Sequence, residues 1–391
     1  MSTVKIIRPF GDLASFVSGN RPQGGVGQIK EGALSLGGEH VGIDGKLNLS
    51  TPKFVPVDYY EANPKGHITT GDILLCKDGA LSGKVALERG ELSGFQSMVN
   101  EHVFIIRADK LDQKYLFYYL FSPVGQRLLK GIVTGAAQGG INGKNLRSIP
   151  VVYPDSLSEQ QHIVDELDLL TGIIDKKNTQ LSDLEALAQS IFYEMFGDPA
   201  LNEKGWPVVA LETIAESRIG LTYKPENVCE EGTIVLRSSN IQESEIDLKD
   251  IVRVNSPIKE NQYVQEGDIL MCSRNGSFKL VGKVAKIGAL PERMSYGAFM
   301  TTIRSKYNPY LFEFFKLPAF RTQLGLAKTA TINQITVKML ANTKVALPPL
   351  ELQKSFEKRV SSIYAQKASI KQSMKDCQNL LDSRMLMFFN D

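Results

Sequence analysis

The segments 71–80, GDILLCKDGA, and 267–276, GDILMCSRNG, repeat one phrase 196 positions apart in a chain of 391 residues. Each leads into GKVA, at 83–86 and 282–285. Four more pairs follow the same order: GALSLGGEHV with GTIVLRSSNI, YLFYYLFSP with YLFEFFKLP, IPVVYP with KVALPP, and EMFGD with MFFND. Chance similarity of short apolar motifs does not account for five collinear matches, so the sequence predicts a tandem duplication.

Each repeat has two parts of different character. About 150 residues show short β-branched and aromatic runs broken by Gly, Pro and Asn, which is typical of a sheet-rich domain with one or two helices. A long helix follows. The predicted class is α+β, with the boundaries 1–157 and 199–349 for the globular domains and 158–198 and 350–391 for the helices.

The two helices carry an apolar residue every three or four positions for more than four heptads, which indicates a coiled-coil seam. The alternative is that each is an ordinary amphipathic helix packed on its own domain. The predicted seam consists of Ile163, Leu167, Leu170, Ile174, Lys177, Leu181, Leu184 and Ile191, and of Phe356, Val360, Ile363, Lys367, Ile370, Met374 and Leu381.

Charge favours pairing of the two helices with each other. Segment 158–198 has nine acidic and two basic residues, whereas 350–391 has seven basic and five acidic residues. An antiparallel pair with pseudo-two-fold symmetry would bring Lys177 and Lys367 together at mid-length. We expect their stems to pack and their ammonium groups to extend to solvent, with a role in fixing register as a hypothesis.

Composition limits the class of protein. The hydrophobic fraction of 42% and the charged fraction of 23% are those of a soluble globular protein. No apolar run reaches the roughly 18 residues that span a bilayer, no secretory signal is visible, and the four cysteines form no CxxC pair. We therefore expect a cytoplasmic protein with reduced thiols.

The catalytic motifs that we looked for are incomplete. The glycine–lysine segments at Gly79 and Gly276 have the wrong spacing for a phosphate-binding loop, and valine replaces the required hydroxyl residue. All four histidines lie in the first repeat without metal-ligand spacing. Asn-Pro-Tyr at 308–310 lacks the second proline of an amino-methyltransferase motif. We predict a chain that is not itself an enzyme and binds no metal.

Three segments instead contain basic residues and no Asp or Glu, namely 113–154, 269–291 and 314–350. Basic side chains interleaved with Tyr, Asn, Gln, Ser and Thr suit a surface that meets phosphates and base edges. The alternative for each segment is a buried helix or strand with solvated lysines at its ends.

Several segments together are typical of a known family. They are the two GDIL phrases, GWPVVALETIAE at 205–216, and, before the helices, INGKNLRSIPVVYPDSLSEQQHIV and INQITVKMLANTKVALPPLELQKSF. With these segments the chain resembles the specificity subunit of type I restriction–modification systems. The resemblance covers essentially the whole chain. It implies two target recognition domains that read the halves of a split, asymmetric sequence in double-stranded DNA. It also implies docking of two methyltransferase subunits and of motor-nuclease restriction subunits, which would bind S-adenosylmethionine, ATP and magnesium; this chain would bind none of them.

For contact with DNA we expect side chains in the loops after the GDIL strands and in the acid-free segments. Arg and Lys suit guanine edges, whereas Asn and Gln suit adenine. Lys84 and Lys283 share one repeat position, which favours a backbone contact, while the changed pair after each GDIL strand favours base reading. The predicted residues are Lys77, Lys84, Gln138, Asn142 and Lys144 in the first repeat and Arg237, Asn240, Arg274, Asn275, Lys279, Lys283 and Asn333 in the second.

The length of the helix fits a split target. From Ile163 to Ile191 the predicted seam rises roughly 42 Å, slightly more than one DNA turn of about 34–36 Å.

Two rival functions remain at this point: a two-lobed interaction scaffold or regulator without DNA binding, and a standalone metal-dependent nuclease.

Overall fold

The structure, a computed structural model, describes residues 5–23, 25–26, 29–134, 139–325 and 334–390. The chain divides into two compact units: unit 1 is Met1–Thr179 with Ile370–Asp391, and unit 2 is Gln180–Ser369. Among the helices of these described ranges, none combines the length and the hydrophobicity of a membrane span.

Within its described residues, the globular part of unit 1 contains nine strands and four short α-helices, after which the first long helix begins. The strands are β1 (Lys5–Pro9), β2 (Ala14–Ser18), β3 (Ala33–Leu36), β4 (Phe54–Val55), β5 (Ile73–Cys76), β6 (Val85–Leu87), β7 (Ser97–Val99), β8 (Val103–Ala108) and β9 (Pro150–Pro154). The helices are α1 (Val57–Ala62), α2 (Gln113–Phe121), α3 (Pro123–Gly131), α4 (Gly143–Ser148) and α5 (Leu157–Phe196).

The second half of the chain repeats this order with extra short strands. The strands are β10 (Val208–Ala210), β11 (Glu216–Ile219), β12 (Val228–Cys229), β13 (Thr233–Leu236), β14 (Ile241–Gln242), β15 (Glu245–Ile246), β16 (Arg253–Val254), β17 (Ile269–Cys272), β18 (Val284–Lys286), β19 (Met294–Tyr296), β20 (Met300–Arg304) and β21 (Lys344–Ala346). The helices are α6 (Asn308–Lys316), α7 (Pro318–Gln323), α8 (Val337–Ala341) and α9 (Leu350–Phe389).

The two units have the same sheet topology, as the duplicated sequence predicts. An antiparallel four-stranded sheet has the order β2-β8-β5-β6 in unit 1 and β11-β20-β17-β18 in unit 2. A second sheet joins β3 to β7 and β13 to β19 as parallel pairs. The antiparallel pairs β1–β9 and β10–β21 are also equivalent. We call the strand pairs that both units share the frame.

The GDIL strand is the central element of each unit. All four residues of β5 and of β17 are buried, and successive side chains of a strand point to opposite faces. Ile73 and Leu75 accordingly belong to the core that contains α2, whereas Leu74 and Cys76 belong to the core under β3. The phrase recurs because each unit needs one strand that is apolar on both faces.

The glycines of the phrase are required by backbone conformation. Gly71 and Gly267 precede the strand with φ of 92° and 87°, and Gly83 and Gly282 precede the next strand with φ of 92° and 85°. This left-handed region favours glycine over residues that carry a Cβ. The repeated ends of GDIL…GKVA are therefore turns and core strands.

The predicted seam is at least partly buried at every one of its positions. Leu167, Leu170 and Leu381 share one core in unit 1, and Phe356, Val360 and Ile363 pack in the core of unit 2. Beside the seam, however, a second apolar face is buried as deeply: Val164, Phe192, Phe196, Met385 and Phe389. The alternative of helices packed on globular domains therefore describes the ends of α5 and α9.

This second face explains why the compact units differ from the four predicted segments. The first half of α5 and the last half of α9 belong to unit 1, and the other halves belong to unit 2. Phe192 and Phe196 stack around Tyr310 of α6, while Phe389 packs edge-on against Tyr115 of α2.

Within unit 2, α5 and α9 run antiparallel to each other. Glu185 pairs with Lys367, and Glu194, further along α5, pairs with Arg359, which lies earlier in α9. Lys367 does not extend to solvent as expected, because its side chain is 14% exposed and Glu185 holds its ammonium group.

Candidate nucleic-acid interface

A buried aspartate that pairs with a partly exposed arginine fixes the start of each GDIL strand. The guanidinium of Arg107 donates two hydrogen bonds of 2.7 Å to Asp72, and that of Arg304 donates bonds of 2.8 and 2.7 Å to Asp268. The two aspartate side chains are 4% and 2% exposed. Each carboxylate also accepts from a backbone N–H of the preceding turn. The aspartate of the phrase is therefore part of the frame.

At the other end of the strand, three segments of unit 1 meet. The Lys77 amide donates to the His102 carbonyl at 2.9 Å, and the Ile141 amide donates to the Lys77 carbonyl at 2.7 Å. We name the β5–β6 loop (77–84), the β7–β8 turn (100–102) and the segment 139–142 the loop edge of unit 1.

Unit 2 builds the same junction. The Arg274 amide donates to the Phe299 carbonyl at 3.0 Å, and the Ile335 amide donates to the Ser273 carbonyl at 2.7 Å. The loop edge of unit 2 is accordingly the β17–β18 loop (273–283), the β19–β20 turn (297–299) and the segment 334–336. The two loop edges therefore share backbone hydrogen bonds, although their side chains differ.

The structure brings most predicted residues of unit 1 to this edge or to the helix that follows it. Lys77 is partly buried, with its ammonium nitrogen 4.9 Å from the Phe104 ring centroid. Lys84 is partly buried at the far end of the loop. Asn142 caps α4 by accepting from the Asn145 amide at 2.8 Å, and Lys144 is exposed on that helix. Gln138 lies outside the described residues.

In unit 2, Arg274 and Lys279 are exposed on the β17–β18 loop. Asn275 donates to the Ser238 hydroxyl at 3.0 Å, which places the loop after β13 beside the loop edge. Arg237 lies on that neighbouring loop, where its guanidinium pairs with Asp250 at 2.7 Å. Lys283 points back to the Ile241 carbonyl at 3.3 Å. Asn333 lies outside the described residues.

Asn240 needs correction, because it is 1% exposed. Its amide oxygen accepts from the Arg237 amide at 2.8 Å, and its amide nitrogen donates to the carbonyls of Asp247 and Asp250 at 2.8 Å. With both N–H groups engaged in the interior, Asn240 shapes the loop and presents no donor to a base.

Two neighbours of the predicted residues were not predicted, because the prediction took only polar and basic side chains in the loops after the GDIL strands and in the acid-free segments. Phe299 is 58% exposed on the β19–β20 turn. The equivalent position in unit 1 is His102, whose Nδ1 lies 3.0 Å from Asp78 Oδ2. Alignment of SMVNEHV at 97–103 with MSYGAFM at 294–300 identifies the pair, because both turns follow an equivalent buried strand.

Behind each loop edge lies a buried cysteine at the end of the GDIL strand. Burial raises the pKa of the Cys76 thiol, and it raises that of Cys272 to about 11. Both thiols are therefore neutral at physiological pH and act as small core residues. Across the ranges that the structure describes, no group of three His, Cys, Asp or Glu residues could hold a metal ion.

Two relatives share sequence with the chain. The specificity subunit of the type I restriction enzyme MjaVIII from Methanocaldococcus jannaschii is 24% identical over 95% of this chain and 90% of its own length. The specificity subunit of EcoKI from Escherichia coli K12 is 28% identical, over 46% of this chain. That match spans only 40% of the length of the E. coli subunit.

Two solved structures share the fold. The S subunit of a type I restriction–modification system from M. genitalium superposes with a TM-score of 0.56, at 14% identity, over 100% of this chain and 97% of its own. A chain from a study of complex assembly and conformational transition of the type I R-M system superposes at 0.51, with 18% identity, over 100% and 99%.

The family comparison covers both repeats. The sequence model described as the type I restriction modification DNA specificity domain matches residues 44–186 and again residues 203–376. The two matches include both GDIL strands, both loop edges as far as the structure describes them, and most of both long helices. This chain belongs to the type I restriction–modification DNA specificity family.

Proposed function

We propose that the chain is the DNA-binding specificity subunit of a type I restriction–modification complex and reads a split, asymmetric target in double-stranded DNA. The observation that carries the proposal is the loop edge, which the chain builds twice on one frame with different side chains. Each target recognition domain would read one half-site. The chain itself would be non-catalytic.

Contact with DNA is supported by the chemistry of the two loop edges. Arg274 and Lys279 are exposed cations on the loop edge of unit 2, which contains no Asp or Glu, and Lys144 is an exposed cation on α4 of unit 1. Arginine at such an edge suits the O6 and N7 atoms of guanine, and lysine suits phosphate or guanine. Lys77, Lys84, Asn142, Arg237, Asn275 and Lys283 stay proposed as contacts or as supports of the contact surface.

We also propose that α5 and α9 pair as an antiparallel coiled coil with pseudo-two-fold symmetry. The opposite order of the Glu185–Lys367 and Glu194–Arg359 pairs supports this direction. Buried seam residues at both ends of each helix support a continuous contact. A rigid pair of this kind would set the unread spacer between the half-sites.

The partners would be two methyltransferase subunits and the motor-nuclease restriction subunits, in the cytoplasm. The long helices carry exposed apolar side chains that suit docking of other proteins: Leu169, Leu187, Leu380 and Leu386 are 40–64% exposed. S-adenosylmethionine, ATP and magnesium would bind to those partners. The assembly would methylate adenine or cleave DNA.

The salt dependence of DNA binding tests the proposal against the interaction scaffold. The chain is reconstituted with the methyltransferase subunits encoded beside it, and its affinity for duplex DNA is measured between 50 and 200 mM salt. Since each phosphate contact releases counterions, the affinity should fall by about 10³ or more over this range if six or more phosphates are contacted. A stable complex without salt-dependent affinity would support the scaffold.

A further inference from the structure

One exposed side chain on the loop edge of unit 2 is apolar. Phe299 is 58% exposed, and its carbonyl accepts from the amides of both Ser273 and Arg274, at 2.9 and 3.0 Å. An exposed phenylalanine is common on protein surfaces. This one, however, is held by two backbone hydrogen bonds to the loop whose side chains distinguish the two units.

Phe299 is also paired with a cation. The guanidinium carbon of Arg274 lies 5.3 Å from the centroid of the Phe299 ring, within the range of a cation–π contact. The contact restricts the motion of an exposed arginine before any ligand binds, which lowers the entropy lost on binding. Arg274 and Phe299 thus form one ordered pair with a hydrogen-bonding part and an apolar part.

The equivalent position in unit 1 has different chemistry. His102 replaces Phe299 and Asp78 replaces Arg274, and these two side chains contact each other at 3.0 Å. On the same frame, unit 1 therefore presents a polar imidazole beside a carboxylate, and unit 2 presents an apolar ring beside a guanidinium. A difference in side-chain chemistry at equivalent positions of one frame suits the reading of two different half-sites.

We propose that Phe299 contacts the C5 methyl group of a thymine in the major groove, and that Arg274 contacts a guanine in a neighbouring base pair. The proposal rests on the DNA-reading function proposed above. Phenylalanine has no hydrogen-bonding group, and the thymine methyl is the apolar group that base edges present in the major groove. Base pairs are about 3.4 Å apart along the axis, so side chains 5.3 Å apart can reach adjacent pairs.

The test compares three full-length variants, each co-expressed with the methyltransferase subunits encoded beside the chain, by sequencing methylated adenines in cellular DNA. Phe299→Ala should lose the requirement for thymine at one position of one half-site and leave the other half-site unchanged. Phe299→Leu, which keeps an apolar contact, should retain most of the requirement. His102→Ala, the matched control at the equivalent position, should leave the half-site read by unit 2 unchanged.

A binding measurement on the unmodified complex does not depend on folding of a variant. The duplex that carries the methylated motif is compared with a duplex in which deoxyuridine replaces that thymidine, which removes only the methyl group. Wild type should bind the deoxyuridine duplex about four-fold more weakly, whereas the Phe299→Ala complex should bind both duplexes equally.

Three results would overturn the inference and leave the proposed function intact. They are a Phe299→Ala motif identical to that of wild type, a unit 2 half-site without thymine, and equal binding of both duplexes by wild type. In the last case, weaker binding of Phe299→Ala to both duplexes would indicate a wedge between base pairs. If the wild-type complex produced no motif at all, the proposed function would fail and this inference with it.

Discussion

At the scale of single residues, the buried carboxylates stabilise the strands that both units share, whereas the exposed side chains differ between the units. Asp72 and Asp268 hold Arg107 and Arg304 across the end of each four-stranded sheet. Gln113 and Asn308, at the start of α2 and α6, make equivalent hydrogen bonds. Each donates to a carbonyl of the turn before the GDIL strand and to a carbonyl of the neighbouring strand, β8 or β20. Such groups tolerate little change, because a buried partner left alone is costly.

Removal of the Asp268 charge should therefore destabilise unit 2. We expect Asp268→Asn to lower the free energy of unfolding by about 2–3 kcal/mol, because the buried side chain at position 268 can no longer accept both charge-assisted hydrogen bonds from the Arg304 guanidinium. The measurement is urea denaturation followed by circular dichroism.

The matched control is Asp250→Asn. Asp250 also pairs with an arginine, Arg237, but its side chain is 66% exposed, so the loss should stay below about 1 kcal/mol. Equal effects of the two substitutions would contradict a structural role for the aspartate of the GDIL phrase.

Glu185 predicts a dependence of stability on pH. Burial alone would raise the pKa of Glu185, but hydrogen bonds from Lys316 and Lys367 outweigh it and lower that pKa to about 2, from an ordinary value of 4.5. Because the folded-state pKa is depressed, the contribution of Glu185 is fully present above pH 4.5 and is lost as the pH falls towards 2.

Thermal unfolding of wild type and Glu185→Gln should therefore differ at pH 6, and most of that difference should be lost by pH 2.5. The control is Glu194→Gln, because the Glu194–Arg359 pair is exposed on both sides and should contribute little at either pH. A difference between wild type and Glu185→Gln that persists unchanged to pH 2.5 would refute this prediction.

Sequence reasoning could identify the loop edge but not the role of each residue in it. Basic residues after the GDIL strand identified Arg274, whose exposure the structure shows. Asn240 looks equally suitable in sequence, yet it is buried because three backbone groups of its own loop hydrogen-bond to its amide. The Asn240 partners at Asp247 and Asp250 are seven and ten residues away, and the cation–π contact of Arg274 joins it to a different loop, so neither arrangement is visible in a local sequence pattern.

At the scale of elements, the heptad pattern located both long helices, which extend from Leu157 to Phe196 and from Leu350 to Phe389. It did not reveal that each helix has a second apolar face near its ends. Phe192, Phe196 and Phe389 lie outside the chosen seam and pack against tyrosines of α2 and α6. Sequence periodicity cannot show which of two apolar faces meets the other helix and which meets a domain.

Helix length should set the spacer of the DNA target. Four residues inserted after Thr179, with four more after Ser369, lengthen each helix by about 6 Å. If α5 and α9 form the proposed coiled coil, the spacer should grow by about one or two base pairs, while both half-sites stay the same. Sequencing of methylated adenines measures the spacer directly.

The control insertion places four residues in the exposed turn at Glu230 and Glu231, and it should leave the spacer unchanged. If the helix insertions changed the identity of a half-site while the spacer stayed constant, helix length would not set the spacer length.

At the scale of the whole molecule, the duplication is the feature from which the rest follows. The same four-stranded sheet order recurs in both units, and the family match is interrupted only between residues 186 and 203. The repeated phrases were enough to predict this organisation, because they mark turns and core strands that any copy of the frame needs. The bases that each unit reads were beyond prediction, because they depend on a few exposed side chains held by distant backbone groups.

The most direct test of a two-unit DNA reader is the methylome of a host that lacks other adenine methylation. The full chain is co-expressed with the methyltransferase subunits encoded beside it, and modified adenines are mapped by sequencing. The account predicts one split motif with two different half-sites and a spacer of constant length. A stable complex of the chain with those subunits that produces no methylated motif would contradict it.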